Sequence, residues 1–264
     1  MAFLDLPGFR LHYEVLENAL PGDVLFLHGN LAANLWWEPA KTEWASRRDP
    51  SWKGRMILAE WRGCGKSAEF EGSLSIDLLA ADMQALAKHL KLDEAGLVGH
   101  STGGIIALHA ALSGTTIFDR LLLLDSVTAE GVAFGADALS AFDLMAKDRA
   151  TCAAVILGTI HGGSLSEEFK DRIVEATFTV SPKIWRGVPA MLKSPAPWLD
   201  YKLIRQRILV LHGEEDNVLP IAEARAMAAA LPNAEFRALP GRGHCTNVED
   251  PALFVTIAHD FLFA

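Results

Sequence analysis

The sequence is poor in cysteine, poor in positive charge and free of long apolar runs. Its 264 residues include three cysteines, Cys64, Cys152 and Cys245. An odd number at such wide spacing builds neither a disulfide framework nor a CxxC metal knuckle, so a reducing compartment is expected. Lys and Arg number 24 against 33 Asp and Glu, a net charge of −9, which argues against both nucleic acid and an anionic membrane surface as partners. No stretch approaches the roughly 18 apolar residues of a membrane span. The opening MAFLDLPGFR lacks the basic flank and apolar core of a signal peptide. A cytoplasmic enzyme-sized domain is the expectation.

What is present is apolar character: 50% of the residues are hydrophobic, too many for a disordered chain. At this length folding hides roughly three quarters of the surface, so the core needs neither a disulfide nor a structural metal. Short β-type runs at 24–27, 56–59, 95–98, 121–124, 208–211 and, more weakly, 235–239 alternate with helical spacing. That is the βαβ pattern of a parallel sheet covered on both faces. Two earlier runs, 2–6 and 10–16, flank a Pro7-Gly8 turn and predict a hairpin entering the sheet. The spacing of Leu79, Met83, Leu86 and Leu90 predicts a helix over 75–90, and similar stripes predict helices at 104–112, 221–231 and 252–263, the last after Pro251 at its first position.

The alternation breaks once. Between residues 128 and 200 no convincing strand occurs, and short helices replace it, which divides the chain into 1–127, 128–200 and 201–264. Ser164 and Glu167 form a capping-box pattern ahead of Phe169, Ile173 and Ala176, and Ser181-Pro182 opens a run with Ile184, Val188 and Met191 aligned. Pro189, Pro195 and Pro197 are expected to break that helix.

Gly99-His100-Ser101-Thr102-Gly103 lies between a predicted strand and a predicted helix, so it meets G-x-S-x-G in the strand–turn–helix setting the motif requires. Glycines are needed there because the turn is sharp and side chains at 99 or 103 would strike neighbouring backbone. A serine hydroxyl is a weak nucleophile until a base takes its proton and a third group orients that base. His244, in Gly241-Arg242-Gly243-His244, and Asp216, after the run at 208–211, follow in the order Ser, Asp, His on successive loops. The developing oxyanion needs donors, and the peptide amides of Asn30, in the turn His28-Gly29-Asn30, and of Thr102 are candidates. His28 itself reads as a structural histidine.

These elements resemble the α/β-hydrolase fold over nearly the whole chain. They are His28-Gly29, the R-G-x-G-x-S loop Arg62-Gly63-Cys64-Gly65-Lys66-Ser67, the elbow at Ser101, H-G-x-x-D-x-x-x-P from His212 to Pro220, and G-x-G-H ending at His244. The resemblance implies a mostly parallel eight-stranded α/β sheet flanked by helices, with a helical cap inserted after strand six over the serine. It implies a cofactor-free serine hydrolase of a small-molecule carboxylic ester or lactone. Related branches keep other chemistries open: carbon–carbon bond hydrolysis, cofactor-independent ring dioxygenation with the acid after strand six, where Asp125 stands here, and weakly catalytic ligand binding or signalling. Serine at the elbow separates the chain from the dehalogenase and epoxide hydrolase branches, which carry aspartate there.

Trp36, Trp37, Phe134, Phe142, Met145 and Trp185, with Ile160 and Trp198, are candidate lining for the substrate pocket. Gly65-Lys66-Ser67 looks like the end of a P-loop, but position 60 is Glu60 where that motif needs glycine. The histidines show no tight ligand spacing, so no metal site is expected. Cys245 reads as a small buried hydrophobe. The sequence carries no signal for the oligomeric state.

Overall fold

The computed structural model describes residues 2–18, 20–47, 51–112, 117–193 and 199–264. Strands β1 (Ala2–Leu6), β2 (Phe9–Leu16), β3 (Asp23–Leu27), β4 (Arg55–Glu60), β5 (Ala95–His100), β6 (Phe118–Leu124), β7 (Arg207–Gly213) and β8 (Ala234–Leu239) form one sheet in the order β1-β2-β4-β3-β5-β6-β7-β8. β2 is antiparallel to β1 and to β4, and every other pair is parallel. The hairpin thus occupies one edge, and the order turns back at β3, opening a crevice at the carboxyl ends of the central strands. Observed strands extend past the apolar runs because the ladder continues through polar termini such as Arg120 of β6, which pairs with Gly96 and Arg207.

Period-2 alternation divides the core. Leu25, Leu27, Ile57, Leu97, Leu121 and Leu123 face one layer, whereas Val24, Phe26, Met56, Leu58, Val98 and Leu122 face the other. Around the sheet lie helices α1 (Glu38–Ser46), α2 (Ile76–His89), α3 (Thr102–Leu112), α4 (Ala136–Met145), α5 (Arg149–Leu157), α6 (Glu167–Phe178), α7 (Ile184–Leu192), α8 (Ile221–Ala230), α9 (Thr246–Glu249) and α10 (Pro251–Phe263). Ser75 caps α2 by accepting the Leu78 amide at 3.2 Å, and Pro251 opens α10. The connection between β6 and β7 carries α4 to α7.

Three local expectations are corrected. The cap of α6 is Ser166, accepting the Phe169 amide at 3.2 Å, and not Ser164; starting there puts Glu167 and Glu168 in the first turn, where the helix dipole favours acids. Pro189 does not break its helix. α7 runs through it because one missing amide bond is outweighed by burying Ile184, Trp185, Val188, Pro189 and Leu192 together. α3 starts at Thr102, two residues early, since the chain enters the helix directly from Ser101. Pro195, Pro197 and Trp198 lie outside the described residues.

Candidate active site

The site begins with backbone strain. Ser101 has φ 53°, left-handed for a residue with a side chain. It is held there by its amide, which donates to Leu124 O at 2.9 Å, and by its carbonyl, which accepts Gly104 N at 2.9 Å and Val127 N at 3.1 Å. The flanking glycines are steric requirements. A Cβ on Gly99 would run into the Gly103 carbonyl, and one on Gly103 into the Leu27 carbonyl of β3. Strand, elbow and helix therefore close on one another only without those side chains.

His244 and Asp216 arrive from two other loops. The Asp216 carboxylate accepts His244 Nδ1 at 2.8 Å, and its other oxygen accepts the amides of Val218 at 2.7 Å and Leu219 at 3.1 Å. Burial pushes the Asp216 carboxyl up, but the His244 bond, that ring's charge and the two amides outweigh it and hold the carboxyl below its usual range. Asp125, at φ 45° after β6, is the other acid at this edge. Its Oδ1 accepts the Gly213 amide at 2.8 Å, and burial, reinforced by the Asp216 charge, raises it well above the carboxylate range. It is an acid bound to β7 backbone.

Two histidines beside the serine are neutral props. His100 donates Nε2–H to the His244 carbonyl at 2.8 Å, and burial lowers its pKa to about 3. His28 donates Nδ1–H to Gly29 O at 2.8 Å, stacks on Trp61 at 5.2 Å and is lowered by burial to about 4. Among the described residues, the amides of Asn30 and Thr102 are taken up by no protein acceptor, so both remain available as donors next to the serine.

A cavity of about 500 Å³ opens over Ser101, His244 and Asn30. Trp36, Phe134, Phe142 and Met145 line it, with walls of Ala138, Ala141 and Ala154 from α4 and α5. Trp37 and Trp185 do not. Trp36 and Trp37 are successive residues of a 3₁₀ turn, so their rings leave about a third of a turn apart, and Trp37 is buried against Phe26 and Phe254. Trp185 is buried with the α7 stripe and borders a second hollow of about 400 Å³ lined by α4 and α7. Ile160 also lies away from the main cavity. Leu31, Val155 and Asn217 are lining residues that sequence reasoning missed, since none carries a motif or a periodic signal of its own.

The cavity is uncharged. Among its described lining residues there is no Lys, Arg, Asp or Glu, and burial pushes the Cys245 thiol well up. Two groupings, His100–Asp125–His244 and Asp125–His212–Asp216, come close enough to hold a cation. Part of each is engaged otherwise: His244 Nδ1 with Asp216 at 2.8 Å, His100 Nε2 with His244 O at 2.8 Å, and His212 Nε2 with Leu219 O at 3.0 Å, whereas His100 Nδ1, His212 Nδ1 and Asp125 Oδ2 have no hydrogen-bond partner among the described residues. The Gly65–Ser67 turn carries no phosphate-binding loop geometry; its Lys66 amide binds Glu60 at 2.7 Å and Ser67 Oγ accepts His12 N at 2.8 Å.

The model of the alpha/beta hydrolase family matches residues 24–257. The chain belongs to that family. Among curated relatives, 2-hydroxymuconate semialdehyde hydrolase from Pseudomonas sp. (strain CF600) is 25% identical over 257 residues, covering 85% of this chain and 83% of the relative. Among solved structures, an esterase from Exiguobacterium antarcticum superposes with TM-score 0.84 at 20% identity, covering 97% of each chain. An enol-lactonase from Burkholderia xenovorans superposes with TM-score 0.83 at 18% identity over 100% of both.

Proposed function

We propose that this hydrolase cleaves a neutral carboxylic ester or lactone through an acyl-enzyme on Ser101, without a cofactor. The reading is carried by one observation: His244, hydrogen-bonded to Asp216 at 2.8 Å, borders the same cavity as a serine on a strained elbow. Ser101 Oγ attacks the carbonyl carbon as its proton passes to His244 Nε2. Asp216 stabilises the imidazolium and keeps Nδ1 protonated, and the amides of Asn30 and Thr102 bind the oxyanion. The tetrahedral adduct collapses, the alkoxide leaves with the proton from His244, and an ester to Ser101 remains. A water molecule deprotonated by His244 attacks that ester, releasing the carboxylic acid and returning the proton to Ser101.

In this reading α4 to α7 act as a cap over the reaction, and their residues choose the substrate. The three cysteines are free and buried, which suits a cytoplasmic location, and no described helix is long and apolar enough to cross a membrane.

A second reading, carbon–carbon bond hydrolysis, is favoured by the curated relatives, which include a 2-hydroxy-6-oxo-2,4-heptadienoate hydrolase from Pseudomonas putida at 25% identity. The uncharged cavity weighs against it, because a dienoate carries a carboxylate that wants a cation. The test is a panel of neutral esters and lactones followed by proton release, run beside dienoate consumption by absorbance and oxygen uptake with a heteroaromatic substrate. Acid release with labelling of Ser101 by a fluorophosphonate supports the proposal. Faster turnover of the dienoate, or oxygen uptake, overturns it.

A further inference from the structure

Glu249 closes the short helix α9 and is 8% exposed, yet it takes no part in the acyl-transfer steps above. Its Oε2 accepts the Gly243 amide at 2.7 Å, and its Oε1 accepts the amides of Cys245 at 3.1 Å and His161 at 2.9 Å. Gly243 and Cys245 are the two residues on either side of His244. His161 belongs to the connection between α5 and α6, 88 residues away in the chain. A carboxylate turning back onto amides that precede its own helix follows the logic of a capping box, and here it also gathers a donor from the inserted helices.

The packing around this carboxylate leaves little slack. A Cβ on Gly243 would stand 2.5 Å from His161 Cβ and 3.1 Å from Glu249 Oε1. One on Gly163, which has φ +78°, would stand 3.2 Å from Glu249 Cα. The α5–α6 connection therefore rests directly on the His244 loop.

We propose that Glu249 is a positioning residue for His244, tying its loop to the inserted helices so that the imidazole is aligned only while those helices are seated. The inference rests on the reading of His244 as the general base. An imidazole has two side-chain torsions, so where its ring reaches is set by where its Cα is held. The ring is gripped by Asp216, the carbonyl by His100, and the two neighbouring amides by Glu249. Bonds from a buried carboxylate are about twice as strong as neutral ones. A glutamine offers one oxygen and an NH₂ group that would point at another N–H, so it cannot satisfy all three donors.

The test compares Glu249→Gln with the wild-type enzyme in three readings. Displacing a catalytic group by about 1 Å costs about 10² in rate. Glu249→Gln is therefore expected to lose about that factor in kcat with KM little changed, and fluorophosphonate labelling of Ser101 should slow in parallel. The far-downfield proton resonance of His244 Nδ1–H should broaden, while the melting temperature stays above that of the assay. A folded Glu249→Gln that labels at the wild-type rate overturns the inference, and so does an activity loss that only follows the unfolded fraction. If Glu249→Gln does not fold, the same readings on Glu249→Asp decide, and failure of both to fold overturns the inference by making Glu249 purely architectural. Wild-type enzyme that hydrolyses substrate without labelling at Ser101 defeats the reading of the site itself, a result distinct from the others.

Discussion

His244 Nδ1 stands 2.8 Å from Asp216 Oδ2, while the nearby Asp125 accepts the Gly213 N–H at its Oδ1, 2.8 Å away. Two acids close the same edge of the sheet, one facing the imidazole and the other facing β7 backbone. Burial and the Asp216 charge push the Asp125 carboxyl well up, whereas the bonds of Asp216 to His244 and to two backbone amides hold its carboxyl below the usual range.

The two acids are therefore expected to behave differently on neutralisation. Asp216→Asn should fold with a near-normal melting temperature and lose on the order of 10⁴ in kcat, the cost of the wrong imidazole tautomer in a serine protease triad. Asp125→Asn should keep most activity, because an amide oxygen can still accept Gly213 N–H. Steady-state kinetics of both variants decide; an interchange of the two results assigns the acid to the end of β6 and reopens the dioxygenase reading.

Substrate choice should follow the cavity wall and not aromatic content. Phe142→Ala or Met145→Ala should change the rank order of ester chain lengths, since both residues border the cavity over Ser101. Trp37→Ala and Trp185→Ala should leave the rank order intact and cost about 3–5 kcal/mol of stability, as large buried aromatics do. Re-ranking by Trp185→Ala with unchanged stability would contradict the cavity described above.

Acid lability should trace in part to two histidines. Unfolded, His28 and His100 gain a proton below about pH 6.5; folded, they resist protonation down to about 4 and about 3. The unfolded chain binds more protons across that window, so their contribution is complete above it and shrinks as pH falls. At about 1.4 kcal/mol per pH unit for each group, the loss reaches the order of several kcal/mol near pH 4. Melting temperatures measured from pH 7 to 4.5 should fall less steeply in His28→Gln and in His100→Gln than in the wild type. Coincident slopes would remove these residues from the account.

The elbow should tolerate no side chain at 103. A Cβ there meets the backbone carbonyls of Leu27 and His28, neither of which can turn away. Gly103→Ala is expected to lower the melting temperature sharply and abolish Ser101 labelling, whereas Gly241→Ala, with nothing within 4 Å of its added methyl, should cost only the strain of its φ of +66°.

The sequence by itself determined the short strand runs, the helices between them and the interruption between β6 and β7, because apolar runs, period 3.6 and glycine-marked turns are local signals, while their union in one eight-stranded sheet was what the resemblance to the α/β-hydrolase fold implied. It also placed Ser101, Asp216 and His244 on the segments that leave the carboxyl ends of β5, β7 and β8, since each comes after a strand run and before a helical one. Only the tertiary structure decided which acid meets His244, that Trp36 borders the cavity while its neighbour Trp37 is buried against Phe26 and Phe254, and that α7 continues through Pro189. Each of these depends on contacts between segments far apart in the chain, where burial and packing override local preference. The three amides gathered by Glu249 belong to the same class, as no spacing in the sequence announces that His161 and Gly243 share one carboxylate.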